Sequence, residues 1–428
     1  MRGKRSVLGN DVDAGPPTGP MPMSGNRPDS AAGEAGVQRP ARAIRPKRRI
    51  SNALRWVPSY FWQALTRRSP RGPVHLVLAL ADHFEPAIVP QDGRARAPYD
   101  EQERRLEAWC REYPQLIDSH RDHEGRPFSH TYFYPAEQYD AGLIQRLADH
   151  CHEGWGEIEI HLHHGAYTPD TAEKTYRQLV EFRDALASRH GCLSYLDGAG
   201  PARYAFVHGN FALANSNEGR ECGVDSEMQV LADTGCYADL TLPAAAFHPS
   251  QTAKINSLYE CALPLSQRAP QRRGKDLRQG RTPQVFPLII QGPLMVDFAR
   301  FGIDNAALTA PSPPRLSRLR LWKRAGICVQ GRPDWIFIKL HCHSMDPTQE
   351  AAVLGQPTQQ FLRELVEGAG DRGEILHFVT AREMVNIILA ACDGREGNPG
   401  DYRDYRLQRR KPVPPVLGDS ASRLALRG

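Results

Sequence analysis

The sequence lacks long hydrophobic runs, paired cysteine motifs and glycine-rich phosphate loops. No apolar stretch approaches the roughly 18 residues needed to cross a bilayer. The nine cysteines are scattered without a CxxC pair, which argues against a zinc ribbon and a thioredoxin-type motif and favours buried thiols in a reducing compartment. Because no apolar segment follows the basic N-terminus, we expect a cytoplasmic protein. No GxGxxG or GxxxxGK(S/T) motif follows an apolar run, so the sequence lacks the motifs that usually indicate a nucleotide-binding fold.

The charge is unevenly distributed along the 428 residues. Residues 1–71 hold 14 Lys and Arg against 4 Asp and Glu, whereas the remainder holds 40 against 45, so the net charge of +5 hides a basic tail and a slightly acidic body. Residues 1–49 contain few large apolar side chains, which predicts disorder. Only this tail favours nucleic-acid binding, and we expect no specific nucleic-acid partner. The predicted parts are a basic tail over 1–70 with a short helix at 50–66, a body over 71–395 and a C-terminal tail over 396–428.

The aromatic residues of the 50–66 segment allow two interpretations. A short helix that packs onto the body would bury them, whereas an interfacial helix would place them against a membrane or nucleic acid. Pro58 interrupts any long amphipathic pattern, which favours the first interpretation.

Between the two tails, short apolar runs alternate with helical patterns. Several runs are apolar at consecutive positions, as expected of parallel strands buried on both faces. Seven or eight alternations over about 320 residues predict an α/β fold, a distorted (β/α) barrel of seven or eight strands, with an open doubly wound sheet as the main alternative. The predicted strands are 74–84, 130–135, 156–164, 203–210, 236–243, 285–293, 335–343 and 374–380.

Polar residues, mainly histidines, collect where the predicted strands end. Barrel active sites lie at the C-terminal ends of the strands, so this placement predicts a single site. Asp82 and His83 end the first run, His161, His163 and His164 the third, His208 and Asn210 the fourth, and His341 and His343 the seventh.

Two HxH pairs are the main evidence for a metal. Residues i and i+2 of a strand share a face, so His161 and His163 present two imidazoles side by side, as do His341 and His343. Neutral imidazoles suit Zn, Fe, Ni or Co, and three such ligands with an open position make a hydrolytic site. The alternative is a set of hydrogen-bonded histidines that binds an anionic or sugar ligand without metal.

The charged residues near these strands are harder to assign. Asp82 has two open roles, as a general base or as a carboxylate that orients a metal-bound histidine. Asp239 either neighbours the site or ends a strand pairing. The remaining charges have structural interpretations at least as good as functional ones: Glu85, Glu157 and Glu159 as strand or loop charges, Glu137 as a helix-start charge, and Lys339 and Arg382 as buried cations with partners.

The order of these motifs resembles the polysaccharide deacetylase family, whose NodB-type domain is a metal-dependent (β/α) barrel. ALADHFEP stands in the place of the family's TFDDG, IEIHLHHG in that of HxxxH, FVHGNFAL in that of RxPYG, and FIKLHCHS in that of the final LxxH. The resemblance covers roughly residues 73–393. The strings HFEP, EIHLHH, HGN, YADLTLP, QGPL, KLHCH and AREM resemble an uncharacterised branch of that superfamily, which tends to accompany polysaccharide synthesis.

This resemblance implies a hydrolase that removes an N- or O-linked acetyl group from a sugar or polysaccharide precursor, using Zn or alternatively Fe, Ni or Co. Asp82 would be the base, and His341, or His343 two residues on, the general acid. The sequence departs from the family pattern because a histidine replaces the metal aspartate, the two histidines are not four apart, and no arginine stands at the RxPYG position. The implied metal ligands are His83, His161 and His163 (or His164), and the implied substrate contacts or neighbours are His164, His208, Asn210, Asp239 and His343.

Two other functions stay open. A metal amidohydrolase acting on a small molecule would share the histidines, although the common amidohydrolase pattern has HxH in the first strand. A catalytically inactive, carbohydrate-binding barrel, or a regulatory partner of a polysaccharide-synthesis complex, would need no metal chemistry.

Overall fold

The structure is a computed structural model that describes residues 46–67, 72–90, 92 and 95–410. The predicted disorder of residues 1–49 falls largely outside this range, as do the last 18 residues of the predicted C-terminal tail. The α-helices are α1 (Pro46–Thr66), α2 (Tyr99–Ile117), α3 (Ala141–His150), α4 (Ala172–Arg189), α5 (Glu227–Asp233), α6 (Leu316–Ala325), α7 (Gln356–Glu367) and α8 (Ala381–Cys392).

Fourteen strands are found in the described part of the chain. They are β1 (Val74–His83), β2 (His130–Pro135), β3 (Gly156–Leu162), β4 (Ser194–Leu196), β5 (Ala199–His208), β6 (Cys236–Asp239), β7 (Leu258–Cys261), β8 (Gly274–Asp276), β9 (Leu288–Ile290), β10 (Met295–Asp297), β11 (Gly302–Asp304), β12 (Trp335–Cys342), β13 (Glu374–Phe378) and β14 (Leu407–Gln408). The longest are β1, β5 and β12, and the strands from β6 to β11 have only three or four residues each.

Twelve of these strands form one mostly parallel sheet, nine of them in the order β12-β1-β2-β3-β5-β6-β9-β7-β8. The other three lie off this path, because β13 pairs with β1, β4 with β5, and β14 with β4. β1 pairs with three other strands. β12 pairs along one edge of β1, and the other edge pairs with β13 in its first half and with β2 at its end. β12, β1, β2, β3, β5, β6 and β9 run parallel, whereas β7 pairs antiparallel with both β9 and β8. The carboxyl ends of the long strands therefore meet at one edge of the sheet.

The predicted barrel of seven or eight strands is wrong. Across the described residues, the hydrogen-bonded path ends at β8 and does not return to β12. The reason lies between β6 and α6, a fully described stretch where antiparallel strands and the β10–β11 hairpin replace the helices of a (β/α) repeat. In the apolar run at 285–293, Pro287 and Pro293 flank the strand and leave only Leu288–Ile290 to pair.

Helices cover both faces of the sheet. Leu76, Leu78 and Leu80 of β1 pack into a core that includes side chains of α2 to α7. Val77 and Ala79 point the other way, into a second core with α8 and α1. Successive residues of a strand point to opposite faces, so β1, β2, β5 and β12 each contribute to both cores.

The helix α1 covers the predicted 50–66 segment and packs onto the body. Trp56 and Tyr60 are buried, and the Trp56 indole donates a 2.9 Å hydrogen bond to the Ala246 carbonyl. Phe61 and Trp62 lie on the other side of the helix and are 59% and 69% exposed. In the part of the chain that the structure describes, no helix combines the length and apolarity needed to cross a membrane.

A buried ion pair fastens the chain after α8 to the sheet. Arg382 donates hydrogen bonds to Glu157 of β3 at 2.7–3.1 Å and to the carbonyl of Leu407 at 2.8 Å. Burial disfavours the charge of Glu157, but Arg382 outweighs it and lowers the pKa of this carboxyl. Residues 399–408, which the sequence assigned to a tail, thus pack against the body, with Arg403 and Leu407 buried.

We expect Arg382→Met to lower the free energy of unfolding by about 3–5 kcal/mol, because it leaves the buried Glu157 carboxylate unpaired. Urea denaturation measures the loss. Adding Glu157→Gln should recover part of the stability, whereas Arg146→Ala, which breaks an exposed pair with Glu103, should cost less than about 1 kcal/mol. Equal losses for the buried and the exposed pair would contradict this role of Arg382.

A second buried carboxyl on β3 predicts a pH dependence of stability. Burial raises the pKa of Glu159 to about 8 from its ordinary 4.5, against the smaller effects of its hydrogen bonds with Tyr237 and the Ala205 amide. The folded chain therefore keeps a proton that the unfolded chain loses, and the free energy of unfolding falls as the pH rises from about 4.5 to about 8. Glu159→Gln should reduce this fall in denaturation curves recorded across that range. Glu173→Gln, on the exposed surface of α4, should not.

Candidate functional site

Three side chains converge at the carboxyl edge of the sheet, and we call them the cleft cluster: Glu85, His161 and His163. The Oε1 atom of Glu85 lies 3.2 Å from Nε2 of His161 and 3.1 Å from Nε2 of His163. One donor atom from each residue falls within 4.8 Å of the others, close enough to share a metal ion. Two imidazoles and a glutamate form a known ligand set of catalytic zinc.

The other ring nitrogen of each cleft-cluster histidine faces a hydrogen-bond acceptor. Nδ1 of His161 lies 2.7 Å from the Val207 carbonyl, and Nδ1 of His163 lies 2.8 Å from Glu137 Oε1. A neutral, metal-binding ring would carry its proton on Nδ1 to satisfy these contacts, which leaves Nε2, the atom nearest Glu85, to coordinate the ion. Metal-binding histidines are commonly oriented in this way. Without an ion, a proton on Nε2 makes the hydrogen bond with Glu85 instead.

The charge distribution around Glu85 favours a cation. Burial opposes ionisation of Glu85, but the hydrogen bonds with His161 and His163 outweigh it and hold the pKa well below its ordinary value. Burial likewise opposes the charged form of His163, whereas Glu137 and Glu85 raise the pKa of this ring to about 10. A carboxylate pair thus attracts positive charge to this point.

The other histidines predicted at this site differ in their access to solvent. The His83 ring lies 4.9 Å from the His161 ring and 4.5 Å from the His343 ring, measured between centroids. Burial, with further effects of His343 and His161, lowers the pKa of His83 well below its ordinary value, so its ring is neutral. His341 lies 6.2 Å from His83 between ring centroids, and these two rings are both buried, with 4% and 6% of their surface exposed, whereas His343 is half-buried.

Two members of the cleft cluster, Glu85 and His163, line a cleft of about 1080 Å³, whereas the third, His161, is fully buried next to them. His83 and His343 also line the cleft, and His341 does not. Its walls combine polar and aromatic side chains from the loops after β1, β2, β3 and β5 and from α4. Those with the capacity to contact a ligand include Arg96, Gln138, Tyr139, Tyr167, Arg177 and Phe211.

Asp82, the predicted base, lies on the opposite face of the sheet from the cleft cluster. Its carboxylate accepts hydrogen bonds from His130 Nδ1 at 3.0 Å and from the amide and hydroxyl of Ser344. It is fully buried and connects β1, β2 and the chain after β12. The pleat explains the separation, because Asp82 and His83 are consecutive in a strand.

His164 and His208 belong to a different group from the cleft cluster, although His164, which is buried, also lines the cleft wall. Their Nε2 atoms are 3.0 Å apart, beside Glu227 and Cys222. Asn210 is exposed at the cleft wall. Asp239 is buried and accepts hydrogen bonds from Thr241, and burial raises its pKa to about 7.

Sequence reasoning undervalued two residues of this site, Glu85 and Glu137. Glu85 follows His83 by two positions, so the spacing that links the HxH pairs also places it on the metal side. Glu137 comes directly after β2 and orients His163. Glycine at 209 also contributes, because a Cβ there would lie 2.1 Å from the His163 ring.

Comparisons with known proteins do not assign the chain to a family. No protein-family model matches it, and a search of curated proteins found no significant match. The resemblance to polysaccharide deacetylases therefore stays a prediction.

Glu85 and Asp82 give a matched test of this geometry. Glu85→Gln should remove one equivalent of bound Zn²⁺ per chain relative to the unmodified protein, because the amide lacks the charge that faces the two Nε2 atoms. Asp82→Asn should keep the metal and instead lower the free energy of unfolding by about 1–3 kcal/mol, through its weakened buried hydrogen bonds. Elemental analysis after dialysis, together with urea denaturation, measures both. Loss of metal in Asp82→Asn but not in Glu85→Gln would contradict the placement.

Proposed function

We propose that this protein is a metal-dependent hydrolase that removes an acetyl group from a sugar or polysaccharide precursor. The observation that carries the proposal is the convergence of His161, His163 and Glu85, of which His163 and Glu85 line an open cleft. Catalytic metal sites use three protein ligands and keep a position open for water or substrate, whereas purely structural sites are closed.

The donor atoms of the cleft cluster fit a divalent transition metal. His161 Nε2, His163 Nε2 and Glu85 Oε1 would hold it, with Glu137 and the Val207 carbonyl orienting the rings. Zn is the first choice for this ligand set, and Fe, Ni and Co are compatible with it. When bound, such an ion polarises a carbonyl oxygen and lowers the pKa of water.

His83 and His343 are the side chains placed for proton transfer. Both line the cleft beside the cleft cluster, unlike Asp82 and His341. The low pKa of His83 keeps its ring neutral and able to accept a proton from the attacking water. His343 is half-buried at the cleft wall and donates a proton to the departing nitrogen or oxygen.

The walls of the cleft favour a polar, ring-shaped substrate. Arg96, Gln138 and Arg177 offer hydrogen bonds, and Tyr139 and Phe211 offer flat apolar faces. A saccharide presents hydroxyl groups at its edge and C–H bonds on its faces, which suits such a lining. An acetylated sugar also supplies the bond that the proposed chemistry breaks.

We infer from the cysteines that the protein works in a reducing compartment, the cytoplasm. All nine cysteines lie within the described residues, and none forms a disulfide. Seven are buried, and Cys110 and Cys328 are half-buried. A cytoplasmic deacetylase of this kind would act on precursors, together with polysaccharide-synthesis enzymes.

Acetate release from a panel of N- and O-acetylated saccharides, measured with Zn-loaded protein, tests the proposed activity. His161→Ala should lose one metal equivalent and the activity, because it removes a ligand. His343→Gln should keep the metal and lower kcat by about 10²- to 10⁴-fold, as loss of a general acid does.

The matched control is His123→Gln, an exposed histidine in the turn before β2, which should leave metal and activity unchanged. Full turnover in His161→Ala would refute the assignment. Saccharide binding without metal or acetate release would instead support a non-catalytic carbohydrate-binding protein.

A further inference from the structure

A second set of metal-binding side chains lies on the other side of the β3 end, and we call it the buried cluster: His164, His208, Cys222 and Glu227. His164 follows β3, His208 ends β5, Cys222 lies in the loop after β5, and Glu227 begins α5. All four side chains are buried, and their donor atoms lie within 4.8 Å of one another.

The two rings of the buried cluster bring their Nε2 atoms together. Nδ1 of His208 lies 2.6 Å from the Gly209 carbonyl, which only an N–H group can satisfy, so the neutral ring has an unprotonated Nε2. Nδ1 of His164 lies 3.3 Å from an Asp170 carboxylate oxygen and 3.3 Å from the Thr175 hydroxyl. The two Nε2 atoms are 3.0 Å apart beside the Glu227 carboxylate, and with the His164 proton on Nδ1 both offer a lone pair to a cation.

We propose that the buried cluster is a closed, tetrahedral Zn²⁺ site that stabilises the fold and takes no part in the reaction. Metal–ligand bonds of about 2.0–2.3 Å at tetrahedral angles separate the ligand atoms by about 3.3–3.6 Å. Glu227 Oε1 lies 2.8 Å from His164 Nε2 and 3.2 Å from His208 Nε2, and Glu227 Oε2 lies 3.5 Å from Cys222 Sγ. Small outward movements of the side chains would complete the coordination.

The site would fasten the irregular loop between β5 and α5. Two of its ligands, Cys222 and Glu227, come from the loop and from the helix that follows, and the other two from strand ends. Left-handed backbone is unfavourable for residues other than glycine, so this loop carries a conformational cost that a cross-link offsets. The loop residues with positive φ are Asn210, Phe211, Ala214, Asn215, Glu218 and Glu221.

The buried cluster and the cleft cluster differ in one chemically useful way. Of these two clusters only the buried cluster contains a cysteine, so a thiolate-to-Co²⁺ charge-transfer band in the near ultraviolet separates it from the cleft cluster. Cys342, in a separate group with Asp82 and His130, is the other cysteine near potential ligands, so the band reports the buried cluster when Cys222→Ser loses it and Cys342→Ser keeps it. The proposal is also independent of the hydrolase activity, because it rests on a different set of side chains.

The test uses the full chain with Co²⁺ in place of Zn²⁺. The unmodified protein should show the thiolate band, and Cys222→Ser should lose it together with one metal equivalent. His161→Ala, which removes a ligand of the cleft cluster, should keep the band. Cys192→Ser is the matched control, since Cys192 is equally buried but has no place in a metal-binding group of the described residues.

No thiolate band in the unmodified protein, or a band that survives Cys222→Ser, would overturn the proposal. A second measurement tests the site even if the Cys222→Ser variant fails to fold. In the unmodified protein, a chelator should expose one additional thiol to an alkylating reagent, which mass spectrometry should locate at Cys222. It should also speed proteolytic cleavage within residues 209–226. Unchanged protection of Cys222 after complete metal removal would likewise contradict the site.

Discussion

The alternation of side chains along the parallel strands is the constraint on which both metal-binding clusters depend. β1, β3, β5 and β12 end at the same edge of the sheet, so their last residues meet there. Because each strand alternates between two faces, the residues divide into two groups at this edge. His83 turns toward the cleft and His161 toward Glu85 on the same face, whereas Asp82 and His208 turn toward the helices on the other face. Two chemically separate sites thus arise from one set of strand ends.

The same device positions the histidines in both clusters. Each ring is held through Nδ1 by a carbonyl or carboxylate oxygen, and each offers Nε2 to a shared centre beside a glutamate. The two clusters differ in their access to the cleft and in the number of donor atoms, because only the buried cluster has a fourth donor. Glu85, His161 and His163 leave the centre open to a large cleft, which suits chemistry on a substrate. Cys222 closes the other centre, which suits a structural ion.

The local pattern of apolar residues predicted many of the strands and helices, but it did not predict whether the sheet closes into a barrel. The apolar runs at 74–84 and 130–135 lie on β1 and β2, because consecutive buried residues of branched and aromatic type specify such strands. The prediction of a barrel was wrong for the stretch between β6 and α6, where short strands pair antiparallel and proline residues limit the length of β9. Closure depends on contacts between distant segments, and no local periodicity reports them.

The sequence by itself determined that histidines collect at strand ends and that His161 and His163 share a face, because a strand has a fixed period of two. The same period placed Glu85 with His83, although its importance was not apparent without neighbours. Only the tertiary structure decided that the side chain of His164 lies beside His208 and not with that of its neighbour His163. The same holds for Cys222 and Glu227, which complete the buried cluster. These four residues come from β3, β5, a loop and α5, so their meeting depends on how the chain folds back on itself.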